Sequence, residues 1–269
     1  MLISTDESDQ SDQPAPLDAH SSLHPTNFPT SSQNNLLTFY AIGDTPYTIV
    51  EECLIPHELG KLLASDGRFL VHLGDIKDGK LEGCPESMYE NTATIFESSP
   101  MLTFFIVGDN EWLDCGGEKE VDESFTHWEE HLLRFHERTN LDWPPFDAFV
   151  TRDTDHPEFF SFILDNGLFL GQGLPPTRED SMPSSDEWES YLDANVRWTR
   201  EHFIAQNAGT RLRAAVIFGH DISRSVEPYF VDLKSIASSY SDIPILVMEV
   251  IIGLQKKRFG MCQTCIRFL

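Results

Sequence analysis

Short apolar runs that stop at a glycine recur along the first half of the chain. The runs at Leu36–Ile42, 69–73 and 101–107 are rich in Leu and Phe. Runs of this length that end at Gly are typical of buried β-strands. Between them, 49–64 has apolar residues at roughly helical spacing, and 85–98 follows a proline-marked helix start. The pattern therefore predicts strand, helix, strand, helix, strand.

This alternation predicts an α/β fold. Each intervening segment is long enough for the crossover that joins two parallel strands. We therefore expect a parallel sheet core in which the loops that follow the three strands lie along one edge.

The second half of the chain continues the alternation. An Asn-Gly pair between two apolar runs is a strong signal for a β-hairpin. In order, the pattern predicts a helix over 121–139, a hairpin around Asp165-Asn166-Gly167, a helix over 186–206, a strand over 213–218, a helix over 228–240 and a strand over 243–248.

The two ends of the chain differ from the part between them. Residues 1–35 are rich in Ser, Asp, Gln, Pro and Asn and contain no Lys or Arg, which predicts a disordered tail. Residues 249–269 show no clear amphipathic period. We predict a folded domain over 36–248 flanked by two tails, and hypothesise that mis-splicing or a frame shift altered the C-terminal one.

The charge balance limits the partners. Forty-four Asp and Glu residues against 19 Lys and Arg give a formal charge of −25, which disfavours nucleic acid and anionic membrane surfaces. A phosphate substrate is compatible with this charge if bound cations reverse the local sign.

No apolar run is long enough to span a bilayer and no secretory signal is visible, so we expect a cytoplasmic protein.

Five cysteines leave the question of a disulfide open. A reducing compartment favours free thiols. Cys84 and Cys115, however, each follow a strand-end loop and could lie close enough in space to form a disulfide.

Two short patterns resemble metal motifs only weakly. His127 and His131 are four residues apart on the predicted helix over 121–139, but no third ligand is evident, and a solvated helix face is the simpler interpretation. Cys262 and Cys265 form a single Cys-x-x-Cys without a partner pair, which favours free thiols.

A stronger pattern follows the strands themselves. Asp44, Asp75 and Asp109 each come directly after a strand-ending glycine, and His220 follows a later apolar run in the same way. Because parallel strands bring their carboxyl ends to one edge of a sheet, we expect these side chains to converge. Carboxylates and imidazole suit Mn, Fe or Zn. The pattern therefore predicts a metal site.

Two divalent metals can share one bridging carboxylate, and the middle strand is the natural position for it. On this interpretation Asp75 binds both metals. Such a pair can hold a phosphoryl oxygen and activate a bridging water to hydroxide.

The motif order GDTPY, GDIKDG, GDNEW, FGHD resembles that of the calcineurin-like metallophosphoesterases. That family carries Asp-x-His, Gly-Asp-x-x-Asp, Gly-Asn-His-Asp/Glu, a strand-end His and finally Gly-His-x-His. The resemblance covers 36–248 and is most specific at Gly-Asp-x-x-Asp-Gly and Gly-Asp-Asn-Glu. It implies a four-layer α/β/β/α sandwich around a di-metal site that hydrolyses phosphomonoesters or phosphodiesters.

The resemblance also implies a role for each matching residue. Asp44 would bind the first metal and Asp75 would bridge both metals. Asp109 and His220 would bind the second metal. Two further carboxylates match positions that orient ligands or waters, namely Asp78 and Glu111.

The chain departs from the family pattern at three places. Pro46 replaces a metal-binding His. Asn110 replaces the His that stabilises the phosphate and protonates the leaving group, and Asn can donate a hydrogen bond but cannot act as a general acid. The final Gly-His-x-His is absent, with Glu249 after the last predicted strand and no His after His220. The first metal thus loses two imidazoles and the second loses one, and Glu249 could substitute for them in part.

Two functions fit these observations. The first is a metal-dependent phosphoesterase with Asp75, Asn110 and His220 at the catalytic positions, acting on a small-molecule or protein phosphoester. The second is a weak or inactive member of the same fold that serves as a binding module. Specificity would lie in the loops 113–120, 140–158 and 172–186, which do not reveal the substrate, and the oligomeric state is open.

Overall fold

The computed structural model of the chain describes residues 36–62, 67–138, 150–174, 185–209, 212–220, 226–249 and 262–267. Contacts divide the chain into Met1–Asn34 and Asn35–Leu269, and the described residues all belong to the second unit. The tail predicted over 1–35 lies outside them. They contain two β-sheets and five α-helices, so the predicted α/β class is confirmed.

The first sheet holds the three predicted parallel strands. β1 (Leu36–Ile42), β2 (Gly67–His72) and β3 (Leu102–Phe105) are parallel, with β2 in the middle. A further strand, β9 (Cys262–Arg267), pairs antiparallel with β1. The apolar pattern did not predict β9, which lies within 249–269.

The second sheet has the strand order β4-β5-β6-β7-β8. Its strands are β4 (Thr151–Arg152), β5 (Phe160–Leu164), β6 (Gly167–Gly171), β7 (Ala214–Phe218) and β8 (Ile245–Met248). β5 and β6 form the predicted hairpin, and its two loop residues, Asp165 and Asn166, have φ values of 50° and 65°. From β6 to β8 the strands are parallel.

The helices are α1 (Ile49–Lys61), α2 (Glu86–Phe96), α3 (Glu118–Trp128), α4 (Ser185–Gly209) and α5 (Glu227–Ser239). The predicted single helix over 121–139 changes pitch, because α3 continues into a π-helical turn at Glu129–Leu133 and a 3-10 turn at Phe135–Glu137. Apolar spacing over one turn does not distinguish these pitches. Among the described helices, none is long and apolar enough to cross a membrane.

Aromatic residues fill the space between the two sheets. Phe69 in β2 is fully buried, and its ring centroid lies 5.0 Å from that of Phe39 and 5.1 Å from those of Phe162 and Phe169. The opposite face of the first sheet packs on α1, α2 and α3, and that of the second packs on α4 and α5. The facing sides of the two sheets share one buried cluster, which includes Phe69 and Val71 of β2.

The structure decides between the two alternatives for the cysteines. Cys84 and Cys115 form a disulfide with a Cα–Cα distance of 5.3 Å, so the expectation of free thiols is wrong for this pair. Local sequence could not decide this, because the two residues are brought together by the packing of α2 against the loop after β3. Cys53, by contrast, is free and exposed.

Candidate metal centre

The loops that follow β1 and β2 are joined side by side. The backbone N–H of Asp44 donates to the carbonyl of Gly74 at 3.1 Å, and that of Thr45 donates to the carbonyl of Asp75 at 2.9 Å. Asp44 and Asp75 both have left-handed backbones, with φ values of 55° and 59°. Asp tolerates this conformation better than most residues, so these two positions accept backbone strain that places their side chains at the sheet edge.

Three ligand side chains predicted from the sequence meet at this edge. The ligating atoms of Asp44, Asp75 and His220 lie within 4.8 Å of one another. Asp44 and Asp75 follow strands of the first sheet, whereas His220 follows β7 of the second. The group therefore lies where the carboxyl ends of strands from both sheets approach each other.

Asp75 is the most heavily contacted carboxylate of the group. Its Oδ2 accepts from Nδ2 of Asn110 at 2.6 Å and from the hydroxyl of Tyr47 at 3.4 Å. Its Oδ1 accepts from the backbone N–H of Asn110 and lies 3.2 Å from Nε2 of His220. Burial raises the pKa of Asp75, but the His220 imidazole and the Asn110 N–H outweigh burial and lower this pKa below its usual value.

Asp109 reaches the same imidazole from the loop after β3. Its Oδ1 lies 3.2 Å from Nε2 of His220. Burial, together with the nearby charge of Asp75, raises the pKa of Asp109, although the imidazole opposes this shift. His220 thus faces carboxylates from two adjacent loops.

The orientation of His220 is set by a backbone carbonyl. Nδ1 of His220 lies 2.7 Å from the carbonyl of Leu73, which can only accept, so the Nδ1 proton points at Leu73. Nε2 is buried and, within the described residues, has no aligned hydrogen-bond partner. It therefore presents its lone pair or a second proton to the carboxylates. Burial lowers the pKa of His220, but Asp109 and Asp75 raise it well above its usual value.

Glu111 binds the backbone of the loops that carry Asp75 and Asp109. It is fully buried. Its carboxylate accepts from the N–H groups of Gly108 at 2.6 Å, Asp75 at 3.2 Å and Ile76 at 3.3 Å. Burial and the charge of Asp75 raise the pKa of Glu111 to about 8. Its contacts orient the two loops rather than a ligand side chain directly.

Two glycines allow the loops to approach so closely. A Cβ on Gly74, whose φ is +94°, would lie 2.7 Å from Nδ1 of His220. A Cβ on Gly108 would meet the backbone N and Oδ1 of Asp75 and would lie 2.9 Å from Oε2 of Glu111. Close packing therefore requires glycine at both Gly74 and Gly108, and the positive φ of Gly74 requires it for the turn as well.

Two residues of the site were not singled out in the sequence. His72, fully buried in β2, has Nε2 2.7 Å from the carbonyl of Thr45 and accepts from the Gly74 N–H at 3.2 Å through Nδ1. Burial lowers its pKa to about 4, so it is neutral. The Tyr47 hydroxyl donates to Oδ2 of Asp75 at 3.4 Å, and burial raises the pKa of Tyr47 far above its usual value. A polar residue inside an apolar strand was the available signal for His72.

The capping of α1 explains the position of Tyr47. Thr48 is the N-cap residue and forms a capping box with Glu51. The N–H of Glu51 donates to the Thr48 hydroxyl, and the Thr48 N–H donates to the Glu51 carboxylate at 2.9 Å. The cap ends the loop that begins at Asp44, so Tyr47 is held between the cap and Asp75.

Two other acidic residues considered in the sequence lie apart from this group. Asp78 is half-buried, and its Oδ1 accepts from the backbone N–H of Lys80 at 3.0 Å, which closes a local turn. Glu249 directly follows β8, but within the described part of the chain it is not a member of the group that could hold a metal.

The donor set fits a divalent cation. Carboxylate oxygens with one imidazole nitrogen are ligands for Mn, Fe or Zn, and an imidazole whose other nitrogen binds a backbone carbonyl is the usual arrangement of a metal-bound histidine. A buried Nε2 that faces two carboxylates at 3.2 Å is stabilised either by a second proton or by a cation. A cation would replace that proton and offset the charge of the three aspartates.

A second group of potential ligands lies on the helices. The ligating atoms of Glu86, Glu130 and His131 also lie within 4.8 Å of one another. His131 is already paired with Glu86, with Nε2 3.2 Å from Oε1. His127, the other half of the pair noted in the sequence, is not in this group and has its ring 5.7 Å from that of Tyr89.

Comparison with solved structures gives a structural similarity. No protein-family model matches the chain, and no curated protein matches it. Among solved structures, a dimetal phosphatase from Danio rerio is similar with a TM-score of 0.47 and 11% sequence identity, over 78% of this chain and 80% of that one. Similarity at this level does not identify a shared function, because one fold hosts many functions.

Proposed function

We propose that the chain is a metal-dependent phosphoesterase that hydrolyses a phosphomonoester or phosphodiester of a small molecule or a protein. The observation that carries this proposal is the convergence of Asp44, Asp75 and His220, with Nε2 of His220 directed at carboxylates by the Leu73 carbonyl. The packing of two sheets face to face with helices outside them supports a four-layer arrangement of the metallophosphoesterase type.

The ligands present suggest two cation sites of unequal affinity. Asp75, Asp109 and His220 would hold one cation, and Asp44 with Asp75 would hold the other. When bound, such cations polarise a phosphoryl oxygen and lower the pKa of a bound water. Because the second set has no imidazole of its own, we expect one tight and one weak equivalent of Mn²⁺ per chain in calorimetric titration.

The protein groups around Asp75 keep its carboxylate ionised and fixed in orientation. Nδ2 of Asn110 donates both of its protons, one to Oδ2 of Asp75 at 2.6 Å and one to the carbonyl of Lys77 at 3.1 Å. Asn110 therefore has no free amide proton for a substrate, and we assign it to positioning Asp75. Glu111 completes the support of the loops, whereas Asp78 closes a local turn apart from the ligands.

Replacing the shared ligand tests the proposal. We expect Asp75→Asn to abolish Mn²⁺-dependent hydrolysis of an aryl phosphate monoester and an aryl phosphodiester, because the amide removes the anionic ligand common to both cations. Asp122→Asn, at an exposed position of α3, is the matched control and should retain activity. Each rate is corrected for the rate measured with a chelator present. Undiminished hydrolysis by Asp75→Asn would contradict the proposal.

The alternative is a binding module with the same fold, which the missing histidine ligands favour. Metal analysis of the purified protein separates the two functions. Bound divalent metal together with hydrolysis supports the enzyme. A folded protein that takes up no Mn²⁺, Fe²⁺ or Zn²⁺ supports the binding module.

A further inference from the structure

The loop that carries Asp109, Asn110 and Glu111 is fastened at its far end by a covalent bond. Within the loop, the N–H of Asp114 donates to the carbonyl of Asp109 at 2.9 Å. The next residue, Cys115, is disulfide-bonded to Cys84. The loop is therefore closed on itself and tied to another segment within six residues of a proposed ligand.

Both sulfurs of the disulfide pack against the centre of this loop. Sγ of Cys84 lies 3.6 Å, and Sγ of Cys115 lies 3.7 Å, from the carbonyl oxygen of Asn110. Asn110 is the residue whose N–H and side-chain amide both bind Asp75. Movement of the disulfide therefore changes the position of Asn110 and, through it, the carboxylate proposed to be shared by the cations.

The other end of the bond lies at the start of α2. Cys84 directly precedes Pro85, the N-cap residue of this helix. One turn later, the Tyr89 hydroxyl donates to the carbonyl of Glu111 at 2.6 Å. Because Tyr89 holds the loop independently of the disulfide, cleavage of the bond would loosen the loop without releasing it from the helix.

The disulfide also has the access that reversible chemistry needs. Cys115 is 3% exposed, whereas Cys84 is partly exposed. A thiolate of a small dithiol can attack Sγ of Cys84, which breaks the S–S bond and releases Cys115 as a thiolate that takes up a proton. The second thiol of the reductant then displaces Cys84 as a thiol, so the protein disulfide gains two electrons and two protons while the dithiol becomes a cyclic disulfide.

We propose that the Cys84–Cys115 disulfide sets the cation affinity of the metal centre, so that its reduction by a dithiol weakens cation binding reversibly. This inference depends on the proposed function, because it takes the centre to bind a divalent cation.

The test compares Mn²⁺ binding by the oxidised and the reduced full-length chain. The protein is reduced with dithiothreitol, which is removed by anaerobic gel filtration, and two additional thiols per chain are verified with a thiol reagent. Calorimetric titration then gives the Kd. Loss of a group that orients a metal ligand weakens affinity by about 10–100-fold, and we expect a change of that order that reoxidation restores. The same loss is expected in Cys84→Ser.

Two controls separate this effect from general destabilisation. Cys53→Ser removes the exposed free thiol and should respond to reduction as the wild type does. Leu233→Ala opens a cavity on the buried side of α5 and removes no atom of the loop or of a proposed ligand, so it should lower the unfolding midpoint without changing the Kd. Weakening of equal size in Leu233→Ala would show that the effect is one of stability alone and would overturn the inference.

The remaining outcomes are equally decisive. If the reduced protein, shown by circular dichroism to be folded, binds Mn²⁺ with the Kd of the oxidised form, the disulfide does not control the site. If the oxidised wild type binds none of Mn²⁺, Fe²⁺ and Zn²⁺, the proposed function itself fails, and this inference fails with it.

Discussion

Asp75 illustrates at the scale of one residue how the protein keeps a buried carboxylate charged. Only 6% of the residue is exposed. Three neighbours, Tyr47, Asn110 and His220, supply hydrogen-bond donors or a positive charge to its two oxygens. The His220 imidazole and the Asn110 N–H more than offset the cost of burial, so the pKa of Asp75 falls below its usual value. A carboxylate in this state can bind a cation without first losing a proton.

Glu111 is the second residue whose replacement is informative. We expect Glu111→Gln to weaken Mn²⁺ binding by about 10–100-fold and to lower the free energy of unfolding by about 1–3 kcal/mol. An amide cannot accept from the N–H groups of Gly108, Asp75 and Ile76 with both of its heteroatoms. Glu90→Gln, at an exposed position of α2, is the control. Calorimetry and urea denaturation measure the two quantities, and an unchanged Kd would contradict the prediction.

His72 gives a prediction for the dependence of stability on pH. Its pKa is 6.5 in an ordinary environment and about 4 in the folded chain. Between these values the unfolded state binds the additional proton, so the contribution of His72 to stability is complete above about pH 6.5 and is lost as the pH falls towards 4.

We therefore expect the unfolding free energy of the metal-free wild type to fall more steeply over this range than that of His72→Gln, by up to about 1.4 kcal/mol per pH unit. Urea denaturation at intervals of half a pH unit, in the presence of a chelator, measures both slopes. Parallel slopes would mean that His72 binds its proton over the same pH range in the folded and unfolded states, which would contradict a lowered pKa.

At the scale of elements, the site depends on how closely two strand-end loops approach. The loops after β2 and β3 share the Glu111 carboxylate as acceptor, and Gly108 lies directly against Asp75. A parallel pair of strands sets the separation of the loops, and glycine permits the contact.

Gly108→Ala should separate these loops. The added methyl group would overlap the backbone N and Oδ1 of Asp75, and overpacking of this kind costs about 1–3 kcal/mol of stability. We expect both a lower unfolding midpoint and weaker Mn²⁺ binding. In Gly60→Ala, nothing lies within 4 Å of the added Cβ. Because alanine is favoured over glycine inside a helix, we expect this variant of α1 to raise the unfolding free energy by about 0.5–1 kcal/mol. An equal gain in unfolding free energy in both variants would contradict the close contact between Gly108 and Asp75.

At the scale of the whole molecule, the candidate centre joins the two sheets. Asp75 follows β2 of the first sheet, and His220 follows β7 of the second. The bond between Nδ1 of His220 and the Leu73 carbonyl connects positions 147 residues apart in the chain. A cation bound between these side chains would cross-link the sheets and favour the folded state.

Cation binding should therefore raise the stability of the whole unit. A ligand present at 100 times its Kd stabilises the folded state by about 2.7 kcal/mol. We expect the unfolding midpoint to rise with Mn²⁺ and the rise to disappear in His220→Asn, which can still donate to Leu73. Sodium chloride at matched ionic strength controls for screening of the acidic surface. A rise of equal size in His220→Asn would place the stabilising cation elsewhere.

Sequence pattern alone was sufficient for most of the elements but not for their limits or for all of their partners. The parallel β1–β2–β3 core and the β5–β6 hairpin follow from apolar runs and turn residues, because both signals are local. β9 and the short strand β4 were missed, since a strand with little apolar alternation is stabilised mainly by the neighbour it pairs with. The π-helical turn after α3 was missed because the apolar spacing is compatible with several pitches.

The sequence by itself determined the α/β class and the placement of Asp44, Asp75 and Asp109 after glycine-ended strands, since strand length, Gly and Asp are properties of short segments. Only the tertiary structure decided that Nδ1 of His220 binds the Leu73 carbonyl, that His72 and Tyr47 support the acidic loops, and that Cys84 is bonded to Cys115. These contacts join residues that are distant in the chain, and their geometry depends on how the two sheets and α2 pack together.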